Sequence, residues 1–320
     1  MMRIAHIINP VIVGESSDLF IAQPITFDSL KVAQEYASNH GVKVELYSSQ
    51  FSEDHEIIPE YLIKTPDLTR SILDLGDFKI KRKLPFIKDI LDRLNQASDA
   101  DYFVYTNVDI AVVPHFYVVV AELIAQGYDS LVINRRTISQ NYKTPQEIHL
   151  MYSEIGTNHP GYDCFIFSKN SYKNFSLFNT FIGAIPVGAC LLINLYYTSK
   201  SFKVFKDLHL TFHLGDDGFW KTGKLNDYEL FNIRETNATL EQFIAQGKSI
   251  DNQFILKYYN ELYHKVSQAN LNNSIAINKL IYRKSLLYLY YKIIGLSNRL
   301  KTLSLRIKNK LDLETNEKVI

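Results

Sequence analysis

The chain has 320 residues, 46% of them hydrophobic and 22% charged, with a formal net charge of +1. That composition supplies a sizeable core for one large domain with appendages or for two smaller domains, and the charge excludes a protein that coats nucleic acid over its surface. Cys164 and Cys190 are the only cysteines, too few for a disulfide scaffold or a zinc ribbon and suited to a reducing compartment. The first residues have neither the apolar length nor the small-residue cleavage site of a signal peptide. No run of about 18 apolar residues offers a membrane-spanning helix, so a cytoplasmic protein is expected.

Strand and helix patterns alternate along the chain, which predicts an α/β fold with a mostly parallel sheet covered by helices. Arg3 to Ile8 reads as the first strand, halted by Asn9-Pro10. After Gln23-Pro24 and Thr26, a helical pattern runs through Leu30, Ala33 and Ala37 and leaves at Asn39-His40-Gly41. Val42 to Tyr47 alternates as a second strand. Ser49 to Gly76 is polar and reads as a long loop with a short helix, a kind of segment that often carries function. Apolar residues at helical spacing run from Leu84 to Leu94, and Tyr102 to Tyr105 is a buried strand. Pro114 opens a helix to Ala125, with Gly127 behind it. Ser130 to Asn134 is a strand, Gly161 to Phe167 a loop entering a strand, Ala184 to Tyr197 an apolar helix, and Val204 to Leu214 partly strand.

From Val266 to Lys310 no acidic residue occurs, while Lys and Arg recur among leucines and isoleucines at three- and four-residue spacings. A basic helical appendage is expected there. Such a helix either lies in an anionic membrane interface, which would place the protein peripherally at the inner face of a membrane, or packs on a protein surface. The expected division is therefore residues 1–247 and a C-terminal appendage over 248–320.

Asn107-Val108-Asp109 follows the Tyr102 strand directly. In extended chain, residues i and i+2 point to one side, so two oxygen-bearing side chains converge beyond the strand's carboxyl end, where open α/β sheets bind ligands. Oxygen ligands suit Mg2+ or Mn2+, and such an ion bridges a diphosphate; Asn and Asp are equally ordinary turn residues. Arg135-Arg136 after one strand and Arg82-Lys83 before a helix are paired cations suited to a diphosphate, or solvated faces. Asp163, where the His159-Pro160-Gly161-Tyr162 turn meets an apolar strand, is placed to bind acceptor hydroxyls or to act as a base. His209, Thr211 and His213 share one face of an extended segment, and Gly215 allows a turn exposing Asp216 and Asp217. Neither G-x-x-x-x-G-K-[ST] nor G-x-G-x-x-G is present, which disfavours a P-loop ATPase or a dinucleotide oxidoreductase.

Tyr105-Thr106-Asn107-Val108-Asp109-Ile110 resembles the D-x-D region of GT-A glycosyltransferases, the nucleotide-diphospho-sugar transferase superfamily. The resemblance covers residues 1 to about 235 and implies a Rossmann-like mixed sheet flanked by helices, transferring a sugar from a nucleotide-diphosphate donor to a hydroxyl on a glycan or lipid-linked acceptor. It implies Mn2+ or Mg2+ held by Asn107, Asp109 and His213, and Asp216 or Asp217 toward the acceptor; beside these, Asn9, Arg82, Lys83, Arg135 and Arg136 are the donor-side candidates, and Asp163 is a further acceptor-side candidate. Asn107 departs from the pattern by replacing the first acid; its carbonyl oxygen remains a ligand, and weaker metal binding is expected. Two alternatives stand beside this reading: a non-catalytic nucleotide-sugar or carbohydrate-binding protein, and a metal-dependent phosphoester hydrolase.

Overall fold

A computed structural model describes residues 2–159, 161–215 and 226–260. Its first half alternates as the sequence predicts: β1 (Arg3–Ile8), α1 (Leu19–Asn39), β2 (Lys43–Ser48), β3 (Ile63–Lys64), α2 (Ile87–Ala97), β4 (Tyr102–Thr106), β5 (Ala111–Val112) and α3 (Phe116–Ala125). Then follow β6 (Ser130–Ile133), β7 (Arg136–Ile138), α4 (Ile148–Ser153), β8 (Thr157–Asn158), β9 (Cys164–Ser168), α5 (Lys169–Tyr172), α6 (Val187–Thr198), β10 (Phe202–Phe205), β11 (Thr211–Leu214) and α7 (Asn226–Ala245). The chain divides after Ser249. Beyond that point the described residues hold α8 (Gln253–Tyr258), capped by the Asn252 side chain on the Phe254 amide. The basic tail from Val266 lies outside the described residues.

Among the described residues, seven strands form the main sheet in the order β10-β6-β9-β4-β1-β2-β3. All run parallel except β9, which is inserted antiparallel between β4 and β6. The six parallel strands therefore end, and β9 begins, along one edge. A smaller sheet, β5-β11-β7-β8, stands beyond that edge. It forms because the chain leaving β4 turns directly into β5, and the chain leaving β6 turns directly into β7.

The two faces of the main sheet follow the period of two. Ile4, Ile8, Val104, Leu131, Ile133, Cys164 and Ile166 join one core cluster with Ile25, Leu30 and Ala33 of α1 and Phe116, Tyr117 and Val120 of α3. The alternate residues face the other way. Phe103 and Phe167 meet Tyr172 of α5 there, whose hydroxyl donates to Asp92 of α2 at 2.6 Å. Ile87, Ile90, Leu91 and Leu94 of α2 are fully buried, each contributing on the order of 1.5–3 kcal/mol.

The starts of α1 and α2 differ from the sequence reading. α1 begins at Leu19 and carries Pro24 inside it. Gln23 explains the earlier start: its side chain accepts from the Val11 amide and donates to the Val11 carbonyl, both at 2.9 Å, which stitches the loop after β1 onto the first turns of the helix. α2 begins at Ile87, so Arg82 and Lys83 sit in the preceding loop and do not open a helix.

Candidate active site

The carboxyl edge of the main sheet gathers the chemistry. Asn9 follows β1; it is buried, and its Nδ2 donates to the Ser49 carbonyl beyond β2 at 2.5 Å. Its amide thus ties two strand ends together. Asn107 and Asp109 follow β4, and Arg135 follows β6. Asp163 precedes β9 at the same edge: Tyr105 pairs with Phe165 and Thr106 with Cys164, so Asn107 and Asp163 are the next positions of that ladder. His213 comes from the small sheet, on β11 between β5 and β7.

His213 Nε2 lies 3.3 Å from Asp109 Oδ2, with the two side chains 4% and 19% exposed. The other ring nitrogen, Nδ1, is 3.0 Å from the Gly215 carbonyl. A carbonyl only accepts, so Nδ1 carries the proton and the ring presents Nε2 to Asp109. A second hydrogen bond of this kind, to a backbone carbonyl, is what fixes the tautomer and ring plane of metal-binding histidines. Gly215 has φ +70°, the left-handed region that turns its carbonyl back toward the ring.

Asp109 Oδ1 is buried and has no hydrogen-bond partner among the described residues. A buried carboxylate oxygen left in that state is costly unless something else satisfies it. A carboxylate beside an imidazole suits Mn2+ or Mg2+, and the donor set fits such an ion in part. Among the described residues no cluster of three or more His, Cys, Asp or Glu side chains forms, so a cation held by Asp109 and His213 would need further ligands from outside that set.

Asn107 Oδ1 accepts a 3.0 Å hydrogen bond from the Tyr105 hydroxyl. Tyr105 is fully buried, and burial first, then the charges of Asp109 and Asp163, push its hydroxyl well above the usual tyrosine range. It is therefore a fixed hydrogen-bond donor under two carboxylates. One lone pair of the Asn107 oxygen is used by Tyr105; the other is available to a ligand.

The four cations of the sequence reading differ in setting. Arg135 has a side chain only 2% exposed, and its Nε is 3.3 Å from Asp163 Oδ2. Arg136, the first residue of β7, is buried and donates from Nη2 to the Tyr152 carbonyl at 3.2 Å; burial lowers its pKa. Lys83 pairs with Glu53 at 2.5 Å and lies over the Phe51 ring at 4.0 Å. The Arg82 amide donates to the Tyr228 hydroxyl at 3.0 Å. Asp216 and Asp217 lie outside the described residues. His209 has φ +52°, so the extended segment starts only after it, and the common face with His213 does not reach back to it.

Two contributors escaped the sequence reading. Tyr105 stands two residues before Asn107 on the same side of β4, and the i, i+2 rule that paired Asn107 with Asp109 also reaches it. His6 was visible as a polar residue in an apolar run. It is buried on β1 and bonded to Tyr117 at 2.8 Å and Thr106 at 2.9 Å, which supports β4 one residue before Asn107. Both cysteines are buried, and burial raises both thiols, so neither is an activated nucleophile.

No protein-family model matches the sequence, and no curated protein matches it. Solved structures do. S. aureus TarS residues 1–349 in complex with UDP-GlcNAc matches with a TM-score of 0.50 and 9% identity, over 87% of this chain and 78% of that one. The UDP complex of the same protein gives 0.49 and 10%, over 87% and 77%. Glucosyl-3-phosphoglycerate synthase from Mycobacterium tuberculosis, in complex with Mn2+, UDP and phosphoglyceric acid, gives 0.40 and 14%, over 75% and 78%. At such identities the likeness concerns the fold, a mixed sheet flanked by helices that the TarS domain shares along most of its length. The chain thus has the architecture of GT-A glycosyltransferases.

Proposed function

We propose that this protein is a glycosyltransferase that moves a sugar from a nucleotide-diphosphate donor to a hydroxyl on a glycan or lipid-linked acceptor. The observation that carries the reading is the Asp109–His213 pair, 3.3 Å apart at the carboxyl edge of the sheet, with the tautomer of His213 set by the Gly215 carbonyl. The fold supports it: the TarS domain that shares this architecture was crystallised with UDP-GlcNAc and with UDP.

In this reading Asp109 and His213 hold the divalent ion, with Asn107 adding its carbonyl oxygen. When bound, that ion neutralises the charge of the donor diphosphate. Tyr105 fixes the Asn107 amide. Asp163, next to Asn107 across the β4–β9 ladder, is the acceptor-side carboxylate. It takes the proton of the acceptor hydroxyl as that oxygen bonds to the anomeric carbon; the bond from that carbon to the diphosphate breaks, and the diphosphate leaves with the electron pair. A two-metal phosphoester hydrolase fits less well, since the described residues hold no cluster of three or more ligands.

Titration calorimetry with UDP, and with a panel of UDP-, GDP- and dTDP-sugars that includes UDP-GlcNAc, each with and without Mn2+, tests the reading. The expected outcome is nucleotide binding that strengthens with Mn2+ and is lost in Asp109→Ala at an unchanged melting temperature. Binding by no nucleotide, or Mn2+-dependent binding that survives Asp109→Ala, overturns it.

A further inference from the structure

Arg135 is the most deeply buried charged side chain at this edge, 2% exposed. A guanidinium in that position requires an anion beside it, and Asp163 provides one at 3.3 Å. The arginine also reaches the turn ahead of Asp163: Nη2 lies 3.4 Å from His159 Nε2. Because a guanidinium only donates, that ring nitrogen accepts and the His159 proton sits on Nδ1.

Backbone contacts reinforce the same join. The His159 amide donates to the Arg135 carbonyl at 3.2 Å, and Asn134 Nδ2 donates to the His159 carbonyl at 3.0 Å. The segment before Asp163 is thereby pinned to the end of β6, as β9 itself is paired to β6. Gly161 permits the close turn, since a Cβ there would come within 2.7 Å of His159 Nε2.

We propose that Arg135 is a positioning residue of the transfer reaction: anchored with His159 at the end of β6, it holds the Asp163 carboxylate at the sheet edge, toward an incoming acceptor hydroxyl. The inference rests on the glycosyltransferase reading and on Asp163 as its acceptor-side group. Stability alone is a poor reason for the pair, because buried ion pairs are commonly matched or exceeded by apolar replacements. The location favours function: the carboxylate so held is next to Asn107 in the ladder and shares with Asp109 the neighbourhood of the Tyr105 hydroxyl.

The test uses the full chain with four changes: Arg135→Met, Arg135→Lys, Asp163→Asn and the Arg135→Met/Asp163→Asn double variant. The readouts are UDP affinity with Mn2+, the rate of nucleotide release from whichever nucleotide-sugar of the panel the wild type turns over, and the melting temperature. Arg135→Met and Asp163→Asn are each expected to lower kcat about 100-fold or more, the span of a lost general base, with donor KM within about threefold of wild type. The double variant should be no slower than the slower single, because both changes disable one unit. Arg135→Lys keeps the charge and loses the planar fork; a loss of about tenfold in kcat at unchanged donor KM is expected. If Arg135→Met does not fold, Arg135→Lys decides. Wild-type kcat in Arg135→Lys, a loss that falls mainly on donor KM, or multiplicative losses in the double variant overturn the role of Arg135. A wild type that binds no nucleotide and releases none overturns the glycosyltransferase reading instead, and this inference with it.

Discussion

His6 makes the fold sensitive to acid in a way that can be calculated. Its ring is 1% exposed, and burial lowers its pKa from 6.5 to about 3. Between those values the unfolded chain binds a proton that the folded chain refuses. Stability contributed by neutral His6 is therefore fully present above about pH 6.5 and is lost progressively as pH falls toward about 3. At about 1.4 kcal/mol per unit, the whole interval is worth roughly 5 kcal/mol, and roughly 3 kcal/mol is gone by pH 4, a large part of the 5–15 kcal/mol that typically holds a domain. The perturbation is His6→Gln, whose amide still offers a donor and an acceptor to Tyr117 and Thr106. It should cost about 1–3 kcal/mol at pH 7 through imperfect replacement. Urea denaturation of both proteins at pH 7, 6, 5 and 4 then measures the gap, with every other titrating group cancelling in the difference. The gap should close as pH falls and reverse by pH 4. Parallel stability curves over that range would refute the assignment, as would a His6 ring titrating near pH 6 by NMR.

Other expectations follow from particular residues. Asn107→Asp places a carboxylate where Tyr105 already donates, so Mn2+ affinity should rise several-fold by calorimetry; an unchanged affinity removes position 107 from the ion. Gly188→Ala gains about 1 kcal/mol of helix propensity in α6, yet its Cβ would come 2.9 Å from the Tyr162 carbonyl. Net destabilisation of about 1–3 kcal/mol and a lower kcat are expected, because Tyr162 adjoins Asp163; a more stable, fully active variant would contradict that packing. The basic tail predicts co-sedimentation of the full chain with anionic liposomes, weakened by salt and absent from neutral ones, and lost on truncation before Leu271. Equal partitioning of both proteins would leave the tail without a membrane role.

The strands of the main sheet were legible where a β-branched or aromatic run met a breaker: Arg3 to Ile8 before Asn9-Pro10, and Tyr102 onward before Asn107. β3 and β5 were not, because strands of two residues carry no period; pairing with a longer neighbour creates them. Pro24 misled the reading of α1, since a proline signals a helix start and here sits in the sixth position, within a helix whose entry is tied down by Gln23 and Val11. The antiparallel insertion of β9 is a long-range property that local pattern does not express. The same division runs through the site. Asn107 and Asp109 could be paired by i, i+2 spacing alone, while His213, visible on an extended face, received its metal-ligand role only through resemblance. The contacts of Arg135 with Asp163, and of Tyr105 with the charges on either side of it, depend on the β4–β9–β6 register and had no local signal.

That register also accounts for an amide at position 107. Asp163 faces a guanidinium, Asp109 faces an imidazole, and Asn107 faces a neutral hydroxyl. A carboxylate at 107 would sit two residues from Asp109 and adjacent in the ladder to Asp163, and like charges so placed repel. A bound divalent ion offsets such repulsion; an empty site does not. In a site where Asp163 reaches the edge on an inserted antiparallel strand, the amide keeps the carbonyl oxygen and omits the third negative charge. On the proposed reading, the amide spares the metal-free protein a cost that an acid at 107 would impose, and it would hold a divalent ion more weakly than an acid would. The resemblance, read from the sequence, treats Asn107 as a loss from a pattern; the geometry presents it as the neutral member of three oxygen-bearing side chains, beside an Asp163 that faces a guanidinium and an Asp109 that faces an imidazole.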